Sequence, residues 1–282
     1  MLSKLIKLEF KATARTFFFV YAALIIITAV NLLIFPWDSL SDPVPNILQG
    51  IVMFLYIVAV IAAGFVTAAL VITRFFRNML GDEGYLMHTL PAAAEQLILA
   101  KFITSIVWSV CTGALVALSI LAFGLRTGVM SQIRATLDSW QTLGYSVGSW
   151  EIGMIGLVFV SAAAGILLIY AAMAIGPNLL KNKVGGSILA FIILAVGAEL
   201  VSVPVGQIFA ATGTEAGLIA SILKADSATA GAGGFFESAA GIDLINQSVP
   251  LALASQYAIS IIIGVVCWFL TRYFLKKKLN LA

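Results

Sequence analysis

Very few side chains in this sequence have the types and spacing that catalysis needs. Residues 144–148 match the G-x-S-x-G pattern of a serine nucleophile, which requires a histidine partner. The one histidine is His88, and the distribution of charged residues places it on the opposite side of a membrane from Ser146. A single histidine does not build a typical metal site, and no G-x-x-x-x-G-K-[ST] phosphate-binding loop occurs. We therefore expect no enzymatic activity, no metal and no cofactor bound by this chain itself.

Glu199 is the one acidic residue deep inside an apolar stretch, Val184–Thr214. A carboxylate at the centre of a bilayer costs on the order of 3 kcal/mol on insertion scales. We therefore expect Glu199 to face the interior of a helix bundle or a water-filled cavity. Two roles stay open for it: a hydrogen bond to a polar residue of another span, and a place in a substrate path.

The composition indicates that these residues belong to a membrane protein. Hydrophobic residues make up 61% and charged residues 10% of the 282 residues, against about 45–50% and about 25% in soluble domains. Five long stretches contain no Asp, Glu, Lys or Arg, and a sixth contains Glu199 alone. A membrane helix needs about 20 apolar residues, so we expect an all-α, polytopic membrane protein with six transmembrane helices in a single domain, 1–282. The predicted spans are 17–35, 47–72, 94–123, 152–176, 187–209 and 251–271.

The basic residues predict how the spans are oriented. Six spans place both termini on one side of the membrane. If that side is the cytoplasm, thirteen of the 16 Lys and Arg residues lie inside, as the positive-inside rule requires. Only Arg126, Arg134 and Lys224 lie outside, in the external segments 124–150 and 210–250, where we expect short extracellular helices. The formal net charge of +3 is too small to indicate nucleic-acid binding.

The first residues of the chain, 2–15, have the pattern of an amphipathic helix. Such a helix lies in the headgroup layer, held by apolar burial and anionic lipid. The alternative is a basic flank of the first span, without a separate helix. One face is apolar, with Leu2, Leu5, Ile6 and Phe10, and the other is basic, with Lys4, Lys7, Lys11 and Arg15.

The cytoplasmic loop between the second and third spans, 74–91, is unusual for a connector. Phe75, Phe76, Met79 and Leu80 fit one helical face, and a Gly-Asp-Glu-Gly turn at 81–84 interrupts it. Exposed apolar residues in such a loop need a partner or the bilayer to cover them. We therefore expect the part after the turn to enter a groove on another protein as a short helix; a loop folded against its own spans is the alternative. That part contains Tyr85, Leu86, Met87 and Leu90, and Pro91 opens the third span.

This arrangement resembles the permease subunits of bacterial type-2 ATP-binding-cassette (ABC) transporters. The likeness in architecture extends over the whole chain, and the specific motif covers residues 83–101. The family usually has Thr where this chain has Tyr85. The matching residues are Glu83, Gly84, Leu86, Leu90 and Pro91, followed by Gln96, Leu97 and Lys101, together with the basic N-terminal segment.

The resemblance implies a half-transporter of the bacterial plasma (inner) membrane, and we expect an exporter. Two permease subunits, identical or homologous, would form the pore, and separate ABC ATPase subunits would bind ATP and Mg²⁺. Membrane lipid is the remaining partner. The resemblance also implies that the external segment before the sixth span dips into the outer leaflet as short helices. It makes the cytoplasmic loop the ATPase-coupling segment, with Asp82, Glu83, Gly84, Tyr85, Leu86, Met87, Leu90 and Pro91 as its residues.

Two other classes of function stay open. An ion-coupled secondary carrier or channel also lacks a nucleotide loop, but such carriers are expected to have internal repeats and several membrane acids. This chain has one deep acid and no visible repeat. The third class is a non-transporting scaffold or sensor subunit, against which the two-part cytoplasmic loop argues mildly. The sequence does not indicate a substrate.

Overall fold

The computed structural model describes residues 2–34, 43–79, 94–126, 129–142, 144, 149–211 and 239–277. Nearly all of these residues are helical, and none of them forms a β-strand. The predicted all-α class is therefore confirmed. The helices are α1 (Leu2–Ile34), α2 (Pro43–Met79), α3 (Ala94–Arg126), α4 (Val129–Thr142), α5 (Ser149–Leu179), α6 (Lys183–Ala211) and α7 (Ala239–Lys277).

All the helices except α4 are long and apolar enough to cross a membrane, judged by length and composition over the described residues. Each overlaps one of the predicted spans, so the prediction of a multi-pass membrane protein with six spans is confirmed. The candidate spans are Leu2–Leu33, Met53–Arg77, Glu95–Leu125, Glu151–Leu179, Lys183–Val205 and Val249–Leu275.

α1 is one continuous helix of 33 residues. Residues 2–15 are helical, as predicted, but they continue directly into the first span instead of forming a helix of their own. The reason is visible in the sequence, because α1 contains no Gly or Pro that would end or kink it. At a rise of 1.5 Å per residue, α1 is about 50 Å long, which exceeds the hydrocarbon thickness of about 30 Å.

The described residues of the predicted external segments are helical except Gly144, which lies in a turn. α4, with 14 residues, lies within segment 124–150. α7 begins at Ala239, so residues 241–245 form the first turns of a long helix and not a separate short one. Pro250 lies inside α7. Residues 212–238 lie outside the described part of the chain.

The chain divides into two compact units, residues 1–132 with 275–282 and residues 133–274. In the first unit, each of α1, α2 and α3 packs against the other two. In the second unit, α5 and α6 form a close helical hairpin joined by residues 180–182. The prediction of a single transmembrane domain stays a prediction.

The hairpin depends on two glycines. A Cβ atom built on Gly176 would lie 2.4 Å from the backbone nitrogen of Ser187, and one built on Gly186 would lie 2.1 Å from the carbonyl oxygen of Gly176. Small residues let membrane helices approach this closely. Asn182 caps the start of α6, because its Oδ1 accepts a hydrogen bond from the backbone nitrogen of Val184 at 3.1 Å. At these two positions the helix crossing therefore has room for the hydrogen atom of glycine but not for a Cβ atom.

Two hydrogen bonds connect α5 with α7 in the same unit. The hydroxyl of Tyr257 donates to the carbonyl oxygen of Gly153 at 2.7 Å, and the hydroxyls of Ser161 and Ser260 lie 3.2 Å apart. Hydrogen bonds between helices are favourable in a bilayer because lipid chains offer no polar partner. They fix the register of α7 against α5.

Candidate functional site

The predicted coupling residues and Glu199 fall in different parts of the chain. The eight coupling residues, from Asp82 to Pro91, lie in the stretch 80–93, outside the described residues. The two helices that carry this stretch are described: α2 ends at Met79 and α3 begins at Ala94. Glu199 lies in α6.

The beginning of α3 is attached to α1 by an ion pair. The ammonium of Lys101 contacts the carboxylate of Glu9, and these side chains are only 4% and 13% exposed. Removing one partner of a buried pair is strongly destabilising, because it leaves the other charge uncompensated. The pairing of Lys101 with Glu9 was not predicted from the sequence. Glu9 is the only acidic residue of α1, and this isolation could have indicated that it has a basic partner on another helix.

The end of α2 is attached to the same stretch of α1. The guanidinium of Arg74 donates a hydrogen bond to the carbonyl oxygen of Ala12, which is three residues after Glu9. Phe75 and Met79, which follow Arg74 on α2, are fully buried. Both helices that carry the stretch 80–93 are therefore anchored to residues 9–12 of α1.

An aromatic contact continues this attachment into the apolar part of α1. The indole nitrogen of Trp108 donates to the hydroxyl of Thr13 at 2.8 Å. The Trp108 ring stacks on the ring of Phe17, with centroids 4.4 Å apart and planes 4° apart. Stacked pairs of this kind add about 0.5–1.5 kcal/mol to the burial of the rings. α1 and α3 are thus joined over two further turns beyond the ion pair.

Hydroxyl groups then connect all three helices of the first unit. The Tyr21 hydroxyl of α1 donates to the carbonyl oxygen of Trp108 at 3.0 Å and lies 3.0 Å from the hydroxyl of Thr112. Thr112 of α3 lies 3.0 Å from the hydroxyl of Thr67 of α2. Hydrogen bonds between membrane helices contribute about 0.6 kcal/mol each on average. We call the set formed by Glu9, Thr13, Tyr21, Thr67, Lys101, Trp108 and Thr112 the polar seam.

The polar seam was not predicted from the sequence either. Its members are four and eight residues apart along α1, and seven and four residues apart along α3, which places them on one face of each helix. Polar residues at that spacing inside an apolar stretch could have indicated a hydrogen-bonded contact between helices.

Glu199 is exposed on α6. It therefore does not face the interior of a helix bundle within this chain, and the other expected environment, a water-filled cavity, stays a prediction. Its Oε2 accepts a hydrogen bond from the hydroxyl of Ser202 at 3.2 Å. That hydroxyl also lies 2.9 Å from the backbone carbonyl oxygen of Glu199. Because Ser202 belongs to the same helix, this contact does not join two spans.

The described residues contain no group of three or more His, Cys, Asp or Glu side chains that could hold a metal ion. Comparisons of this chain with family models, with curated proteins and with solved structures gave no match.

Proposed function

We propose that this chain is the membrane-spanning permease subunit of an ABC transporter, an exporter of the bacterial plasma membrane. A separate nucleotide-binding subunit would hydrolyse the ATP. The resemblance over residues 83–101 supports the proposal, and so does the absence of a phosphate-binding loop from the sequence.

One observation carries the proposal furthest: both helices that flank the coupling segment are anchored to the same turn of α1. Arg74 binds the carbonyl oxygen of Ala12, and Lys101 pairs with Glu9. A force applied to residues 82–91 would therefore reach α1, α2 and α3 together. The polar seam extends this connection along the three helices, so the displacement would move them as one body.

The coupling residues have the chemistry for a contact with another protein. In the proposed helix, Tyr85, Leu86 and Leu90 would fill an apolar groove on the ATPase subunit. Asp82 and Glu83 would lie near the N-terminus of that helix, where negative charge is favourable. They would also meet basic residues of the partner.

The test is co-purification of the tagged chain with its ATP-hydrolysing subunit from native membranes, followed by coupled ATPase and transport assays in vesicles. Leu86→Asp and Glu83→Arg are expected to release that subunit or to uncouple hydrolysis from transport. The matched controls are Leu180→Asp and Lys181→Glu, because both residues are exposed in the short α5–α6 connection, which is also expected to be cytoplasmic. The controls are expected to assemble normally.

Two results would contradict the proposal. Wild-type assembly and coupling in both Leu86→Asp and Glu83→Arg would remove the contact site. ATP hydrolysis by the purified chain alone would place the energy source in this chain and not in a partner.

A further inference from the structure

α1 has a continuous exposed face that changes character along its length. Its first part is basic, and its second part is apolar. Successive positions are three, four, seven or eight residues apart, so they lie along one side of the helix. The basic residues are Lys4, Lys7, Lys11 and Arg15, all exposed, and the same face continues through Phe18, Ile25 and Leu33, which are 69%, 54% and 84% exposed.

The opposite face of α1 is used inside the protein. Thr13 and Phe17 are buried against α3 through Trp108. Glu9, the only acidic residue of α1, is turned to Lys101 and so does not neutralise the basic face. Four positive charges are therefore presented in the same direction as the apolar side chains of Phe18, Ile25 and Leu33. In a membrane protein an exposed apolar face is directed towards lipid chains.

The continuity of α1 sets the distance of each charge from the hydrocarbon. The charge-free stretch begins at Thr16, next to Arg15. At 1.5 Å per residue along a helix roughly parallel to the membrane normal, Lys11 lies about 6 Å beyond Arg15, Lys7 about 12 Å and Lys4 about 16 Å. The headgroup layer is about 5–7 Å thick on each side. Arg15 and Lys11 reach the headgroups, while Lys7 and Lys4 extend past them into a region where the surface potential decays within about 8 Å.

We propose that the exposed basic face of α1 is a binding site for anionic phospholipid, in which Arg15 and Lys11 bind the headgroup phosphate. The nearest apolar part of the same face, from Phe18 to Ile25, contacts the acyl chains of the same lipid, because it lies within one leaflet's depth of Arg15. This inference does not depend on the transport proposal, because it uses only α1 and the lipid. The competing occupant is an acidic surface of another protein, which would have no reason to favour the two residues nearest the hydrocarbon.

The experiment measures lipid selectivity at one position. A fluorophore is attached to Phe18→Cys in a background that lacks Cys111 and Cys267, and the protein is reconstituted into phosphatidylcholine vesicles. Brominated phosphatidylglycerol or brominated phosphatidylcholine is then added as a contact quencher. The ratio of the two quenching efficiencies reports how strongly the anionic lipid is preferred beside residue 18. The same label at Val158→Cys, an exposed position of α5, gives the background preference.

We expect a preference for phosphatidylglycerol of at least about fivefold beside residue 18, since one basic residue near an anionic surface contributes about 1 kcal/mol. Lys11→Gln with Arg15→Gln is expected to reduce it to the value at residue 158. Lys4→Gln with Lys7→Gln removes the same charge but is expected to lower the preference by about threefold or less. Lys11→Arg with Arg15→Lys keeps the charge and is expected to keep the preference.

Three outcomes would overturn the inference. The first is a wild-type preference at residue 18 equal to that at residue 158, which would favour a protein partner for the basic face. The second is a preference that survives Lys11→Gln with Arg15→Gln. The third is an equal loss of phosphatidylglycerol preference in the two double-Gln variants. Binding at the headgroups requires Lys11 and Arg15 to contribute more to this preference than Lys4 and Lys7.

Discussion

The ammonium of Lys101 and the carboxylate of Glu9 meet across 92 positions of the chain, and both side chains are almost completely buried. The pair lies beside the end of α2, where Arg74 binds the neighbouring turn of α1. One hydrogen bond and one ion pair thus attach to α1 the two helices that residues 80–93 connect, α2 and α3.

The first prediction concerns this ion pair. Lys101→Met leaves the Glu9 carboxylate buried without its counter-charge and is expected to cost about 3–5 kcal/mol of stability. Combining it with Glu9→Gln removes the uncompensated charge and is expected to restore most of the loss. The measurement is reversible unfolding in mixed detergent micelles, arranged as a double-mutant cycle. Lys181→Met, at an exposed position of the α5–α6 connection, is the control and is expected to unfold like the wild type. Additive losses in the cycle would show that the two residues do not interact.

The second prediction concerns the α5–α6 crossing. Gly176→Ala would bring a methyl group to 2.4 Å from the Ser187 backbone, so the helices must move apart. We expect a loss of about 1–3 kcal/mol, as for other overpacked contacts. Gly165→Ala is the matched control on the same helix, since nothing lies within 4 Å of its Cβ position. The control is expected to be neutral or slightly stabilising, because alanine favours the helix. Equal unfolding midpoints for the two variants would argue against a close crossing.

The third prediction concerns orientation. Single cysteines at Ser139 and Lys183 are both exposed in the structure, so burial does not limit their labelling. In a background without Cys111 and Cys267, we expect an impermeant thiol reagent on intact cells to label position 139 and not position 183. Positions 42 and 226, outside the described residues, are expected to behave like position 139. Labelling of position 183 on intact cells, with protection of position 139, would reverse the proposed topology.

The fourth prediction concerns Glu199. Gln at this position keeps an oxygen that accepts the hydrogen bond from Ser202. Glu199→Gln is therefore expected to fold, assemble and support transport-coupled ATP hydrolysis close to the wild type. Ser202→Ala, which removes the donor and keeps the carboxyl group, is the companion variant. A stable, assembled Glu199→Gln protein without transport would show that the carboxyl group acts in the substrate path.

The spans could be predicted from the sequence because each depends on a local property, the absence of charge over a membrane-crossing length. The helix ends could not be predicted as well. Residues 2–15 differ in composition from the span that follows, yet no Gly or Pro separates them, and backbone hydrogen bonding continues through the change. The composition of residues 2–15 indicated that they lie outside the hydrocarbon. It did not indicate whether they form a helix separate from the first span.

The site was less predictable because its contacts are distant in sequence. Glu9 and Lys101 are each unremarkable in their own segments, and only the packing of α1 on α3 brings them together. For Glu199, the cost of a carboxylate in a bilayer predicted the interior of a bundle or a water-filled cavity. The structure leaves the side chain exposed and gives it a partner on its own helix. The coupling residues 82–91 remain a prediction, and the structure describes only the helices on either side of them.

The three-residue connection between α5 and α6 has a consequence for how the chain enters the membrane. Residues 180–182 are too few to let one helix cross the bilayer while the other lies at a distance from it. Gly176 and Gly186 also face each other beside this connection. We therefore expect the two helices to leave the insertion machinery as a pair that is already in contact. In a chain cut after Leu180, α5 and α6 would belong to separate fragments. The two fragments would have to meet by lateral diffusion before the same contact could form.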